Sequence, residues 1–288
     1  MRNAFIQELV TLARQHPQIA LIVGDLGYSV IEPFADEFPD RFVNAGVAEQ
    51  NMTGLAAGMA SEGYHVFTYS IANFPTFRCA EQIRNDVAYH KLPVTVVAVG
   101  GGLAYGALGY SHHAVQDYAL MRTMPNMAIA APGDPMEVRA CMRYIVENPG
   151  PSYLRLGKAG EPNFHASTPH VVPGRWLRLR NGDEQRVLLS TGAGMQIAME
   201  REEYADRAVY SMPLWSMETK KMQAEALSKR TEVVTIEDHL QDGGFGSWLL
   251  EARASDPTLG CVVYPIALRA EVCGTVGSQK TLHCIGGI

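Results

Sequence analysis

The stretch Arg41–Gly63, RFVNAGVAEQNMTGLAAGMASEG, runs from a short β-prone segment through a small-residue turn into an Ala/Gly-rich helix. From Val43 to Phe77 the formally charged side chains are Glu49 and Glu62 alone. Wound on a 3.6-residue period from Val47 to Glu62, the segment puts Glu49 on one face with Met52, Ala56, Met59 and Ala60. Asn51, Gly54, Gly58 and Glu62 take the other face. An acid is therefore expected on an apolar stripe with no cation one turn away. A buried carboxylate is costly unless paired, and burial raises its pKa. The plain alternative is an acid in a first helical turn, favoured by the macrodipole and doing nothing else.

Outward from this stretch, apolar β-rich runs alternate with helical patterns. Ile19–Val23, Phe42–Asn44, His65–Tyr69, Val94–Val99, Ala128–Ala130 and Tyr153–Leu156 are predicted strands, with helices such as Cys79–His90 and Pro135–Glu147 between them. The first residues, MRNAFIQELVTLARQ, form an amphipathic helix. Residues 158–183, rich in Pro, Gly and His, make a linker with the leading strand of a second unit. The rhythm then resumes at Val187–Ser190, Ala208–Ser211, Glu232–Ile236 and Cys261–Ile266. Alternation of this kind predicts an α/β protein of two domains, each a mostly parallel sheet flanked by helices. The domains are expected over residues 1–160 and 184–288, with 161–183 as the linker.

Composition narrows the functional classes. A net charge of −6 and a pI near 5.9 argue against a nucleic-acid partner, whose footprint is basic and clustered. No apolar run approaches the ~20 residues of a membrane span, and the N-terminus lacks a signal-peptide core. The five cysteines share no CxxC spacing, so reduced thiols and a cytoplasmic setting are expected. No Cys/His set has the spacing of a metal site.

Four local features invite a functional reading. Thr191-Gly192-Ala193-Gly194 hints at a dinucleotide fingerprint, but Ile197 stands where its third glycine belongs, and tight-turn glycines are the simpler account. Val99–Tyr110, VGGGLAYGALGY, lacks a Walker lysine; a ligand-facing loop at the carboxyl end of a sheet strand suits it better. His112 and His113 follow; adjacent histidines point apart, so each is a solvated loop residue or a hydrogen-bond donor to substrate. Phe67, Tyr69, Phe74 and Phe77 cluster just after the Glu49 helix, as core or as the wall of a ring-binding site.

The order RFVN, AGV, AEQNM and an Ala/Gly helix resembles the pyrimidine-binding domain of the transketolase family, and the likeness extends along nearly the whole chain. In that family the Glu corresponding to Glu49 binds the aminopyrimidine of thiamine diphosphate and shuttles its proton. YSIANFPTFRCAEQIRND is similar to the segment whose aromatics wall that ring, which marks Phe74 and Phe77 with Tyr69 beside them. GDLGYS marks Asp25 near the thiazolium. GALGYSHHAVQDYALM resembles the substrate loop and IEDHLQDGGFGS a motif of the C-terminal domain.

The chain departs from the family pattern in places. Leu108 stands where many members have an Asp for the donor hydroxyl. Gly100 replaces a sugar-contacting His, and Lys158 falls where an Arg grips the sugar phosphate; His112 is retained. The Gly-Asp-Gly element that holds diphosphate and Mg²⁺ is missing, since Gly24-Asp25-Leu26 and Gly182-Asp183-Glu184 do not supply it. The resemblance thus implies the C-terminal subunit of a split transketolase, with a pyrimidine-binding fold and a transketolase C-terminal-domain fold. It implies a partner N-terminal subunit carrying the diphosphate and metal site, an α₂β₂ assembly, and sugar or sugar-phosphate substrates. The alternatives are a beta-type subunit of a 2-oxo-acid dehydrogenase or deoxyxylulose-phosphate synthase-like enzyme, and a non-catalytic α/β scaffold.

Overall fold

A computed structural model describes all 288 residues. The strands are β1 (Ile19–Val23), β2 (Phe42–Asn44), β3 (His65–Ile71), β4 (Val94–Val99), β5 (Ala128–Ala130), β6 (Ser152–Leu156), β7 (Leu177–Arg180), β8 (Asp183–Ser190), β9 (Arg207–Ser211), β10 (Leu214–Ser216), β11 (Glu232–Leu240) and β12 (Val262–Leu268). The helices are α1 (Arg2–Gln15), α2 (Glu32–Glu37), α3 (Glu49–Ser61), α4 (Ala80–Gln82), α5 (Asp117–Met121), α6 (Pro135–Glu147), α7 (Gly194–Glu200), α8 (Gln223–Ser228), α9 (Phe245–Ala254) and α10 (Gln279–Gly286). They build two mostly parallel sheets flanked by helices, the α/β architecture that the alternation predicts.

The first sheet has the order β10-β5-β6-β4-β3-β1-β2, parallel throughout except between β10 and β5. Every residue of β1, β4 and β6 is buried, because helices cover both faces, and the unbroken apolar run of β1 follows from that. On one face α1 and α6 pack Phe5, Leu9 and Val138 over Leu21, Phe67 and Leu154. On the other, α3 lays Met52 and Ala56 against Ile22, Val66 and Val94. Asp134 starts α6 by accepting a hydrogen bond from the Glu137 N–H at 2.7 Å, with Pro135 following it.

The second sheet runs β12-β11-β8-β9-β7, with β7 antiparallel. A shared core joins the two sheets: Val96, Ile129 and Tyr153 of the first meet Val187 and Leu189 of the second, with Trp248 of α9, around Trp215. Trp215 lies on β10, which leaves the second sheet's sequence and pairs with β5 at the edge of the first. A single helix expected over Cys79–His90 is instead a 3₁₀ turn at Phe77–Cys79, the short α4 and a π-wound stretch at Ile83–Ala88. Cys79, Ile83 and Val87 are all fully buried. Their four-residue spacing exceeds 3.6, and the wider winding keeps them on one face.

Candidate active site

The carboxyl ends of β1, β2, β3 and β4 open on one side of the first sheet, the edge where parallel α/β sheets place ligands. Glu49 is the first residue of α3, just beyond β2, and is 3% exposed. Its Oε2 accepts a hydrogen bond from Arg78 Nη1 at 3.1 Å, while Oε1 is buried with no partner. No cation lies one turn away on α3, as expected, yet the acid is not alone. Arg78 reaches it from the turn after β3, twenty-nine residues along the chain, out of range of any helical-period argument. That arginine is 49% exposed, so the pairing is open to water on one side.

From Arg78 a ladder of rings and charges crosses the site. The guanidinium lies 4.1 Å over the Phe74 ring, and Phe74 meets His112 edge-on at 5.2 Å. His112 stands 6.4 Å from Tyr105, whose ring carries Lys158 Nζ at 5.3 Å. Burial, followed by the charges of His113 and Arg78, lowers the His112 pKa, so the ring is neutral at neutral pH. Its Nδ1 is 3.0 Å from Ser111 Oγ. His113 turns the other way into the core, its Nε2 3.2 Å from the Gly106 carbonyl.

The remaining candidates divide. Asp25 is exposed at φ +54, and its Oδ1 accepts from Asn44 Nδ2 at 3.0 Å and the Tyr28 hydroxyl at 2.9 Å. These two bonds, Asn44's first, lower its pKa. Gly24 beside it abuts Glu49: a Cβ there would lie 3.6 Å from Glu49 Cγ and 3.5 Å from Ser70 Oγ. Phe77 is exposed next to Arg78, and Leu108 is exposed on the 3₁₀ turn Gly106–Leu108. Tyr69 does not join them. Side chains alternate along β3, so Ser70 faces Glu49 while Tyr69 turns to the α1 side and packs on Phe5 at 5.6 Å.

Gly100, at φ +79, leaves a space that the Tyr105 ring fills; any Cβ there would overlap the ring. Sequence reasoning misses Tyr105, Arg78, Asn44 and Ser70. The one signal for Tyr105 is its place as the first aromatic in the Gly-rich loop. Val47, Ala48, Glu49, Gln50, Asn51 and Arg78 line an open groove of about 420 Å³. No three His, Cys, Asp or Glu side chains converge to hold a metal ion.

These residues fit an aminopyrimidine. The unpartnered, buried Glu49 Oε1 and Ser70 Oγ border Gly24, and aromatic rings stand next to them. A buried acceptor with a free lone pair needs a donor from a ligand, since orphaned polar atoms are rare in native interiors. A two-sheet α/β fold with such an acid at the carboxyl edge is what the resemblance to the thiamine-diphosphate pyrimidine-binding class implies.

Comparison with known proteins agrees. Residues 1–160 match the family described as "Transketolase, pyrimidine binding domain". Over 262 residues the chain is 32% identical to an apulose-4-phosphate transketolase subunit of Phocaeicola vulgatus, covering 89% of this chain and 84% of that one. It is 30% identical to 1-deoxy-D-xylulose-5-phosphate synthase of Clostridium perfringens over 86% of this chain, but spans 41% of the synthase. A solved structure, "Split gene transketolase, inactive beta4 tetramer", superposes with a TM-score of 0.84 at 31% identity, covering 99% of this chain and 92% of that one. The chain belongs to the transketolase family, as a subunit of the C-terminal type found in split transketolases.

Proposed function

We propose that this chain binds the aminopyrimidine of thiamine diphosphate and, with a partner subunit, transfers a two-carbon ketol unit from a ketose to an aldose. The observation that carries the proposal is Glu49, buried at the carboxyl edge of the sheet with one oxygen unpartnered. When bound, the cofactor supplies the electron sink for carbon–carbon bond cleavage. Glu49 Oε1 holds a hydrogen bond to a ring nitrogen and moves a proton at that atom. Arg78 keeps the second oxygen paired; it is half exposed and can swing clear if the ring needs the Phe74 face it covers.

Phe74 and Phe77 wall the ring, and Asp25, just beyond the end of β1, lies toward the thiazolium. Neutral His112 meets a substrate oxygen, Leu108 presents an apolar surface to the donor, and Lys158 holds a sugar phosphate. Diphosphate and Mg²⁺ fall to an N-terminal subunit, because the Gly-Asp-Gly element is absent from this sequence. An α₂β₂ heterotetramer is the assembly that supplies both halves of each site.

The test is co-purification with an N-terminal transketolase subunit, an assay of glycolaldehyde transfer, and calorimetry of thiamine diphosphate binding to the chain alone. Turnover is expected from the assembled pair, with weak cofactor affinity for the chain by itself. Tight Mg²⁺-dependent binding by the isolated chain would overturn the two-subunit proposal.

A further inference from the structure

We propose that Asp238 and His283 are positioning residues, clamping the loop of residues 100–113 from the C-terminal helix so that Leu108 and His112 hold one pose toward the site. The functional half of this inference rests on the loop facing substrate. The structural half stands on contacts at three places along the loop.

At its start, Gly102 has φ +65 and its Cα lies against the Asp238 carboxylate so closely that a Cβ would overlap it. Asp238 Oδ2 accepts from the Leu103 N–H at 3.3 Å, a contact between residues 135 positions apart. Asp238 Oδ1 lies 3.2 Å from His283 Nε2 on α10. The ring meets that oxygen off the ideal hydrogen-bond direction, so the attraction is chiefly imidazolium for carboxylate.

In the middle of the loop, Leu282, the neighbour of His283, fills the space a Cβ on Gly106 would need, and the Gly277 N–H donates to the Gly106 carbonyl at 3.3 Å. Further on, Gly109 faces Val276. Leu103, Val115, Leu268, Val272 and Leu282 bury one apolar cluster between the loop and the C-terminal segment. Ser278 starts α10 by accepting from the Thr281 N–H at 3.1 Å, which sets where Leu282 and His283 point.

The rest of the fold holds the loop at its two ends: the Gly100 and Gly101 N–H groups donate to the Leu156 carbonyl at 2.9 and 3.0 Å, and Gly102 pairs with Ala114. Asn73 Nδ2 binds the Ser111 and His113 carbonyls from the β3 side, at 3.2 and 2.8 Å, and holds only the far end. Between those ends, Leu103, Gly106 and Gly109 depend on the C-terminal segment.

The clamp is titratable. His283 borders a cleft of about 440 Å³, so its ring exchanges protons with solvent. Lys280 on the same helix, Lys158 and Glu161 after β6, and Glu200 at the end of α7 line that cleft, and beneath it Arg155 donates to the Asp238 carbonyl at 2.9 Å. Burial would raise the Asp238 carboxyl, but the close approach and charge of His283 outweigh it and hold it low. Burial would lower the His283 imidazole, but Asp238 outweighs it and raises it.

A raised His pKa means stabilisation that is complete below the unfolded value of about 6.5 and lost as pH rises through the folded value. A lowered Asp pKa means the converse loss on the acid side, as pH falls through its own folded value. The loop is thus firm at the ordinary imidazole pKa and loosens as pH rises through the raised pKa of His283.

Amide hydrogen exchange on the whole chain tests this across roughly pH 5.5–9.5, with intrinsic exchange rates divided out. Protection over residues 101–113 should fall by about tenfold for each unit by which the imidazole is raised, while β1 and α6 stay unchanged. His283→Gln should exchange fast in this loop at every pH with the same β1 and α6 protection, which shows that the variant is folded. Asp238→Asn should do the same, as a second route to the open loop. In the assembled enzyme, His283→Gln should reduce kcat/KM for the donor several-fold and flatten its alkaline limb. A flat wild-type exchange profile, or a His283→Gln loop as protected as the wild type, overturns the clamp whatever the activity. An inactive assembly whose loop exchanges as described fails the proposed function and leaves the clamp standing.

Discussion

Arg155→Met should cost this protein a large share of its stability, and the size follows from the hydrogen bonds and ion pair that Arg155 makes. Arg155 is 3% exposed and ties three parts of the chain together. From β6, its Nε donates to Asp117 Oδ2 at 2.7 Å, its Nη1 to the Tyr118 hydroxyl at 3.3 Å, and its Nη2 to the carbonyls of Ala114 at 2.7 Å and Asp238 at 2.9 Å. Methionine fills much of the same volume, so no large cavity opens. Asp117, fully buried, is left with the Tyr153 hydroxyl at 2.5 Å and with His239 Nε2 at 3.8 Å. Burial lowers the His239 pKa to about 4, so that ring is neutral and supplies no replacement charge.

Breaking one side of a buried ion pair costs about 3–5 kcal/mol, and two orphaned carbonyls add to it. Asp117 can relieve part of the cost by taking a proton. A net loss of about 4–6 kcal/mol lowers Tm by roughly 8–24 °C at 2–4 °C per kcal/mol. The assay is thermal and urea denaturation followed by far-UV circular dichroism, with the double variant Arg155→Met/Asp117→Asn alongside. Removing the stranded charge should recover part of the loss, because the penalty is that of an unpaired ion rather than of the missing bond. A single variant within about 2 °C of wild type, or a double variant no more stable than the single, refutes the reasoning.

In the assembled enzyme, Glu49→Gln should leave folding intact and cut turnover by roughly 10²–10⁴, the size of a lost acid–base step; near-normal turnover would reduce Glu49 to a helix-start acid. Leu108→Asp should shift donor preference toward sugars with a free hydroxyl beside the carbonyl, by about one to two decades relative to deoxy donors, since an unpaired hydroxyl costs about 1–3 kcal/mol. An unchanged ranking of xylulose 5-phosphate against deoxy donors would mean that Leu108 does not face substrate.

The sequence by itself determined the α/β alternation, most strand positions and the placement of Glu49 at a helix start beyond a strand. Those features are local: strand length, helical period and turn composition act over a few residues, and parallel strands covered on both faces declare themselves as unbroken apolar runs. The tertiary structure alone decided what each side chain meets. In a strand buried on both faces, an aromatic is equally apolar in either direction, so nothing local could show that Tyr69 turns to Phe5 and Ser70 to Glu49. Arg78 finds Glu49 because loops from separate strands end at the same sheet edge. The crossing of β10 to the first sheet and the hold of Asp238 and His283 on the Gly-rich loop have the same origin. Such pairings join residues far apart in the chain, whose partners are chosen by the packing of the two sheets rather than by any pattern along it.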